Sequence, residues 1–164
     1  MGYTVKVKIV TMPTDRIWSL NLQIIRTRHP PLLYLEQVAL LHTETGASVT
    51  GSEIRLLLEE LPSKDRLLLA VDGETLLGYA HLRATRDLIN KEMAEIVTVV
   101  VRQSHRRRNI GRRLVNAAET WARESGFKRL RFRVSDKNQE AHLFLNALGY
   151  EHTSSNDEFV SDLK

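Results

Sequence analysis

Six arginines and one histidine, with no acid among them, lie between Arg102 and Ala118. Within that run, Arg106-Arg107-Arg108-Asn109-Ile110-Gly111 has the make-up of a loop that cradles a pyrophosphate. A β-branched stretch precedes it and a helical pattern follows from Gly111. The first-turn amides of a helix lack internal acceptors and the helix dipole adds partial positive charge there, so an anion completes the arrangement. Gly111 lets the backbone come close to a ligand, and Asn109 is one of the few non-glycine types that tolerate a left-handed conformation. Arg112 and Arg113 fall in the first helical turn, where each cation costs about 0.3–1 kcal/mol unless an anion neutralises it. A solvated basic loop is the plain alternative, and the loop alone does not separate the two.

The second group with chemical capacity is carboxylate and imidazole. Glu95 stands at the start of an apolar strand, eleven residues before Arg106 and between Met93 and Ile96. Burial among apolar neighbours raises a carboxyl pKa toward the range of a base that works near neutrality, so Glu95 is a candidate general base. The ordinary alternative is a strand-edge glutamate that faces water or pairs with a cation. Glu92 is a weaker candidate. His81, on the preceding strand, has the chemistry to hold or relay a proton, although a lone strand histidine is more often a packed or surface residue. His105 belongs to the basic loop. Without any cysteine the chain has no thiolate nucleophile, no thiolate metal ligand and no disulfide.

The elements that must position these groups follow an alternating α/β order. Tyr3-Val5-Val7-Ile9 alternates with polar residues as a half-exposed strand does, and Pro13 breaks it. Leu22 to Arg28 reads as a strand, Leu32 to Thr45 as a helix opened by Pro30-Pro31, and Gly51-Ser52 precedes a helix with Ile54, Leu57, Leu58 and Leu61 as its apolar residues. Strands Leu67 to Val71 and Leu76 to Leu82 flank an Asp72-Gly73 turn. Ile96 to Val101 shows no polar alternation, which predicts a central strand covered on both faces. A helix from Gly111 to Ser125 carries Leu114, Val115, Ala118, Trp121 and Ala122 on one stripe, with Gly126 as its C′ residue. Strand Leu130 to Val134, helix Glu140 to Leu148 stopped by Gly149, and strands near 150–153 and 159–162 complete the pattern.

Arg106-x-x-Asn109-x-Gly111 resembles the Gln/Arg-x-x-Gly-x-Gly/Ala signature of the GNAT superfamily of N-acetyltransferases. Asn138, Ala141, Phe144, Leu145, Leu148, Gly149 and Tyr150 resemble its second signature, and residues 22–150 follow its order of elements. The resemblance implies a mixed, mostly antiparallel α/β sheet flanked by helices, the acyl-CoA N-acyltransferase fold, as one domain over residues 1–164. Residues 1–20 would be an extension with an extra strand.

It further implies acetyl-CoA as co-substrate and no metal. Val99 and Val101 would meet the pantetheine through main chain, and Arg106, Arg107, Arg108, Asn109, Gly111 and Arg112 the pyrophosphate. Asn138 would hydrogen-bond the co-substrate, or serve as a helix N-cap, and Phe144 would touch it from the core. The strand around Glu95 is similar to that of histone-type members whose glutamate is the base. A main-chain N–H near Val99 or Val100 would hold the oxyanion. Family members that protonate the leaving thiolate with tyrosine have it where this chain has Leu145, so water or Tyr79 would serve, or the module binds acyl-CoA without catalysis.

The net charge of +4 is concentrated in the loop, whereas Glu151 to Lys164 holds four acids and one lysine. That distribution favours one anion site over a nucleic-acid-binding surface. No run reaches the roughly eighteen apolar residues of a membrane span and no signal pattern opens the chain, so a soluble, cytoplasmic protein is expected. The acceptor would be a primary amine, on a protein lysine or N-terminus or on a small molecule. Trp18 and Tyr34 are candidates to line its site, and Glu36, Glu44, Glu53, Glu59 and Glu60 would suit a polycation. A homodimer fits the family but not any residue pattern here.

Overall fold

The computed structural model describes residues 8–10, 21–44, 46–85, 93–135, 137–153 and 158–163. Among them eight strands form one sheet in the order β1-β2-β3-β4-β5-β6-β8-β7. In chain order the elements are β1 (Lys8–Val10), β2 (Leu22–Thr27), α1 (Leu32–Thr43), α2 (Gly51–Glu60), β3 (Arg66–Asp72), β4 (Thr75–Thr85), β5 (Met93–Val101), α3 (Ile110–Glu124), β6 (Arg129–Arg133), α4 (Gln139–Ala147), β7 (Glu151–Thr153) and β8 (Glu158–Asp162). Every pairing is antiparallel except β5 with β6, which α3 joins as a crossover. The mixed α/β sheet expected from the sequence is therefore present.

Two apolar layers sandwich the sheet. On one face Leu114, Val115, Ala118, Trp121 and Ala122 of α3 pack on Leu68, Ala80, Leu82, Ala94, Ile96 and Leu130. On the other, Leu35, Val38 and Leu41 of α1 and Leu58 of α2 cover Leu67, Leu69, Leu76 and Tyr79. Helix α2 begins with a reciprocal cap that the Gly51-Ser52 reading passes over. Glu53 N–H donates to Thr50 Oγ1 at 3.2 Å and Thr50 N–H donates to the Glu53 carboxylate at 2.7 Å. Leu57, expected on the buried face of α2, is exposed. Leu58 and Gly51 are the buried residues of α2, with Ile54 partly covered, and α1 approaches so closely that a Cβ at Gly51 would fall 2.9 Å from the Glu36 nitrogen.

The expectation for the central strand is corrected. Met93, Ala94, Glu95 and Ile96 are buried, but Val97 is 37% exposed and Thr98 to Val101 are only partly covered. The cause lies in the pairing. β6 pairs with β5 only at Ala94↔Leu130, Glu95↔Arg131 and Ile96↔Phe132, whereas β4 follows β5 through to Val101. Beyond Ile96 the sheet splits. A register shift between His81↔Thr98 and Leu82↔Ile96 leaves Val97 as an extra residue at the start of the split, the kind of bulge that bends a strand.

Candidate active site

The split gives β5 one edge with no strand partner, and strand geometry identifies which groups line it. Arg102 N–H donates to the Leu77 carbonyl of β4 at 2.8 Å. Main-chain groups alternate along a strand, so the amides of Val100 and Thr98 also point to β4 and those of Val99 and Val101 point into the split. Each is a strand donor with no strand partner, and an extended, amide-bearing ligand laid along the edge would supply one.

The basic loop begins where this edge ends. After a single 3-10 turn, Gln103–His105, the chain passes through Arg107 (φ 63°) and Asn109 (φ 62°), both left-handed. Asn109 is the N-cap residue of α3 and its carbonyl accepts the first helical bond, from Arg113 N–H at 3.0 Å. The amides of Ile110, Gly111 and Arg112 therefore emerge unpaired at the mouth of the loop. Alternation of left- and right-handed residues turns successive N–H groups toward one point, which makes an anion-binding concavity. Asn109 meets the tolerance expected of it, and Arg107 shares a strain that its residue type does not advertise.

Not every arginine of the run is available. The Arg102 guanidinium donates through Nε to the Leu76 carbonyl at 3.0 Å, and Arg106 donates through Nε to the Val101 carbonyl at 3.3 Å. Arg107, Arg108 and Arg112 are exposed. The loop is braced from the other side of the sheet by Glu44, at the end of α1, whose carboxylate accepts from Gln103 N–H at 3.0 Å.

Val101, Gly111 and Phe144 come together at the start of α3. A Cβ at Gly111 would lie 3.2 Å from Phe144 Cζ and 3.8 Å from Val101 Cγ2. The role of Gly111 thus includes seating Phe144 of α4 across the first turn of α3. Asn138 takes the helix-cap role, its Oδ1 accepting from Ala141 N–H at 3.1 Å. Leu145 is fully buried in the α3-side core and does not line the split.

Glu95 departs most from expectation. It is 8% exposed, but its surroundings are ionic rather than apolar. Arg131 Nη2 lies 2.7 Å from Glu95 Oε2 and Arg133 Nε lies 3.8 Å from Oε1, with Glu158 bridging the same two arginines at 3.4 and 3.5 Å. The lone pairs a base needs are directed at guanidinium groups. Neither partner is apparent in the sequence near Glu95, because the parallel crossover brings Arg131 alongside from 36 residues away.

Other candidates have structural employment. The Tyr79 hydroxyl pairs with His42 Nε2 beneath α1, and burial pushes that phenol up to about 12. Tyr34 donates to the Gly73 carbonyl at 3.1 Å and so ties α1 to the β3–β4 turn. Glu53 is spent on the α2 cap, its carboxyl held below the usual range first by the Thr50 backbone N–H, and Glu44 on the loop. Glu36, Glu59 and Glu60 are exposed. Trp121 is core, as its place on the stripe predicts. Trp18 and Glu92 lie outside the described residues. Among the described residues, no helix is long and apolar enough to cross a membrane, and no three His, Asp or Glu side chains are grouped to hold a metal.

Sequence reasoning missed one buried acid on this face. Asp65, just before β3, is 2% exposed and reaches both His81 and Arg83 of β4. Only the β3–β4 register brings these three together.

Comparison with known proteins agrees with this geometry. The family model described as Acetyltransferase (GNAT) family matches residues 33–150. Comparison with curated protein sequences gives no match. Among solved structures, yncA of Salmonella typhimurium, determined with its cofactor acetyl-CoA, superposes with a TM-score of 0.70 at 14% identity over 87% of this chain and 94% of its own. The aminoglycoside N-acetyltransferase AAC(6')-Iy, determined with CoA, gives 0.71 at 18% identity over 82% and 90%. An acetyltransferase of the GNAT family from Staphylococcus aureus gives 0.66 at 17% over 87% and 99%. At these identities the likeness is one of fold.

Proposed function

Because this chain belongs to the GNAT acetyltransferase family, and is thereby an acyltransferase, we propose that it moves an acetyl group from acetyl-CoA to a primary amine by direct attack in a ternary complex. The observation that carries the reading is the split between β5 and β6, whose open edge runs straight into the unpaired amides at the start of α3. An acyl-CoA has matching parts in the same order: an extended pantetheine with two amides, then a pyrophosphate. The CoA-containing structures of the same fold support this assignment.

On this reading the main chain of Val99 and Val101 pairs with the pantetheine, and the amides between Arg106 and Arg112 hold the pyrophosphate. The exposed Arg107, Arg108 and Arg112 guanidinium groups add charge without fixed geometry. Phe144 packs beside the bound chain, and Asn138 sets the start of α4. The thioester carbonyl lies at the head of the open edge, where a main-chain N–H of β5 near Val99 would hold the developing oxyanion. The amine nitrogen attacks that carbonyl carbon, the C–S bond breaks, and the CoA thiolate leaves.

Glu95 and Arg131 then act as a clasp. They pair one residue before the split opens and fix its vertex, while the direction of their lone pairs and donors is toward each other. Titration of the full chain with acetyl-CoA in a calorimeter, followed by thiol release with an amine panel, tests the proposal. Saturable binding and amine-dependent thiol release are expected. Absence of saturable binding would refute it.

A further inference from the structure

The sheet face beside the split holds a paired acid and imidazole for which the transfer reading gives no use. Asp65 Oδ2 lies 2.9 Å from His81 Nε2 and 3.3 Å from Arg83 Nε. Its second oxygen, Oδ1, is buried with no hydrogen-bond partner. A carboxylate so deeply buried and half unpaired is costly to keep, by several kcal/mol for the desolvation of the ion alone. What it secures is the state of His81. A carboxylate only accepts, so Nε2 carries the hydrogen, and in the neutral imidazole the lone pair is on Nδ1.

His81 stands where that lone pair is useful. It is the direct partner of Thr98, the first residue of β5 after the bulged Val97, so it marks the head of the open edge. Its side chain is 15% exposed, against 2% for Asp65, and among the described residues Nδ1 has no hydrogen-bond partner. Strand alternation puts it on the face shared with Arg83 and Tyr79 of β4 and Glu95 of β5, opposite the face covered by α3. Glu95, the carboxylate of β5 on this face, is already engaged with Arg131.

We propose that His81, oriented by Asp65, is the general base that takes the proton from the acceptor ammonium. The inference rests on the acetyl-CoA reading of the split. Nδ1 accepts one proton from the ammonium, and the freed nitrogen lone pair forms the C–N bond to the acetyl carbon. As the C–S bond breaks, the nitrogen gives its second proton to the departing thiolate, yielding the amide and CoA thiol. The imidazolium returns its proton to water. Asp65 touches no reacting atom and is a positioning residue. The ionisable groups facing His81 are Asp65 from the turn before β3, Arg83 and Tyr79 from its own strand, and Glu95 from β5 with Arg131 behind it.

The test uses the full chain with acetyl-CoA and four amines: Nα-acetyl-lysine amide, spermidine, neamine and a peptide with a free N-terminus. His81→Gln is expected to lower kcat about a hundredfold near neutral pH, with the acetyl-CoA KM within about twofold. The deficit should shrink as pH rises toward the amine's own pKa, where the acceptor deprotonates without help. Arg83→Gln, which touches the same Asp65 oxygen, should retain most of kcat, so a loss common to both variants would mean a structural cluster and overturn the assignment. Asp65→Asn should show a smaller loss with the same pH trend; should it fail to fold, the His81→Gln pH profile alone decides. A His81→Gln kcat equal to the parent's, or a loss that is the same at every pH, would also overturn it. A parent protein that binds acetyl-CoA but turns over none of the four amines overturns the base while sparing the co-substrate site. A parent that does not bind acetyl-CoA overturns the reading beneath it.

Discussion

The two halves of β5 differ in nearly every physical respect, and the boundary between them falls inside the β-branched run Ile96 to Val101. Met93 to Ile96 is buried, and Ala94 to Ile96 are paired on both sides, with Glu95 and Arg131 joined by an ion pair. Val97 to Val101 is partly exposed and paired only to β4. The first half is a piece of core and the second is a template awaiting a partner. On the proposed reading stability resides in one and acetyl-CoA binding in the other, so substitutions four residues apart should fail in different ways.

The largest effect should come from opening the closed half. Arg131→Ala leaves Glu95 buried beside only the exposed Arg133, and urea unfolding should show a loss of about 3–5 kcal/mol. Arg133→Ala, at a side chain 61% exposed, should cost less than about 1 kcal/mol. Glu95→Gln should likewise lower stability while leaving kcat of the folded protein within about tenfold. A much larger kcat loss at unchanged stability would restore Glu95 as the base and dissolve the contrast.

The open half is paired to β4 at its inner edge and covered by α1 on one face, and alkaline pH probes that cover. The Tyr79 phenol, opposite Val100, is raised to about 12 by burial, and Tyr150 is raised by burial and by Glu119. An unfolded tyrosine ionises near 10, so between about pH 10 and 12 the unfolded chain holds fewer protons than the folded one. Stability should therefore be intact below pH 10 and fall above it, by up to about 1.4 kcal/mol per pH unit for each such phenol. Tyr79→Phe should reduce that slope, and an unchanged slope would show that the phenol is not kept from water beneath α1.

Proline scanning separates the two edges more finely. Val99→Pro removes an amide that points into the split, and should weaken acetyl-CoA about tenfold in calorimetry with little change in the β4 ladder. Val100→Pro removes an amide that points to β4, and should instead cost stability. The smallest effect belongs to the loop. Asn109→Gly relieves a left-handed residue and should change stability by no more than about 1 kcal/mol in the favourable direction, with acetyl-CoA affinity within about twofold because the amides remain.

The parts of this account legible in the sequence are those governed by local chemistry. Asn109 and Gly126 end or begin helices in conformations their side chains permit, and the α3 stripe is buried as its spacing requires. The loop motif and Phe144 fall beside one another because their elements follow a known order. What is not legible depends on register. Nothing in Glu95 and its neighbours announces Arg131, and nothing in a run of valines shows where β6 ceases to pair. Asp65 is likewise silent until β3 and β4 are aligned and its carboxylate is found against His81.

Amide hydrogen exchange along β5, read by NMR with and without acetyl-CoA, tests the division of that strand most directly. Val99 and Val101 should exchange quickly in the free protein and become protected when acetyl-CoA is added, while Ala94 to Ile96 should be protected throughout. Protection of Val99 and Val101 that is unchanged by saturating acetyl-CoA would contradict the account.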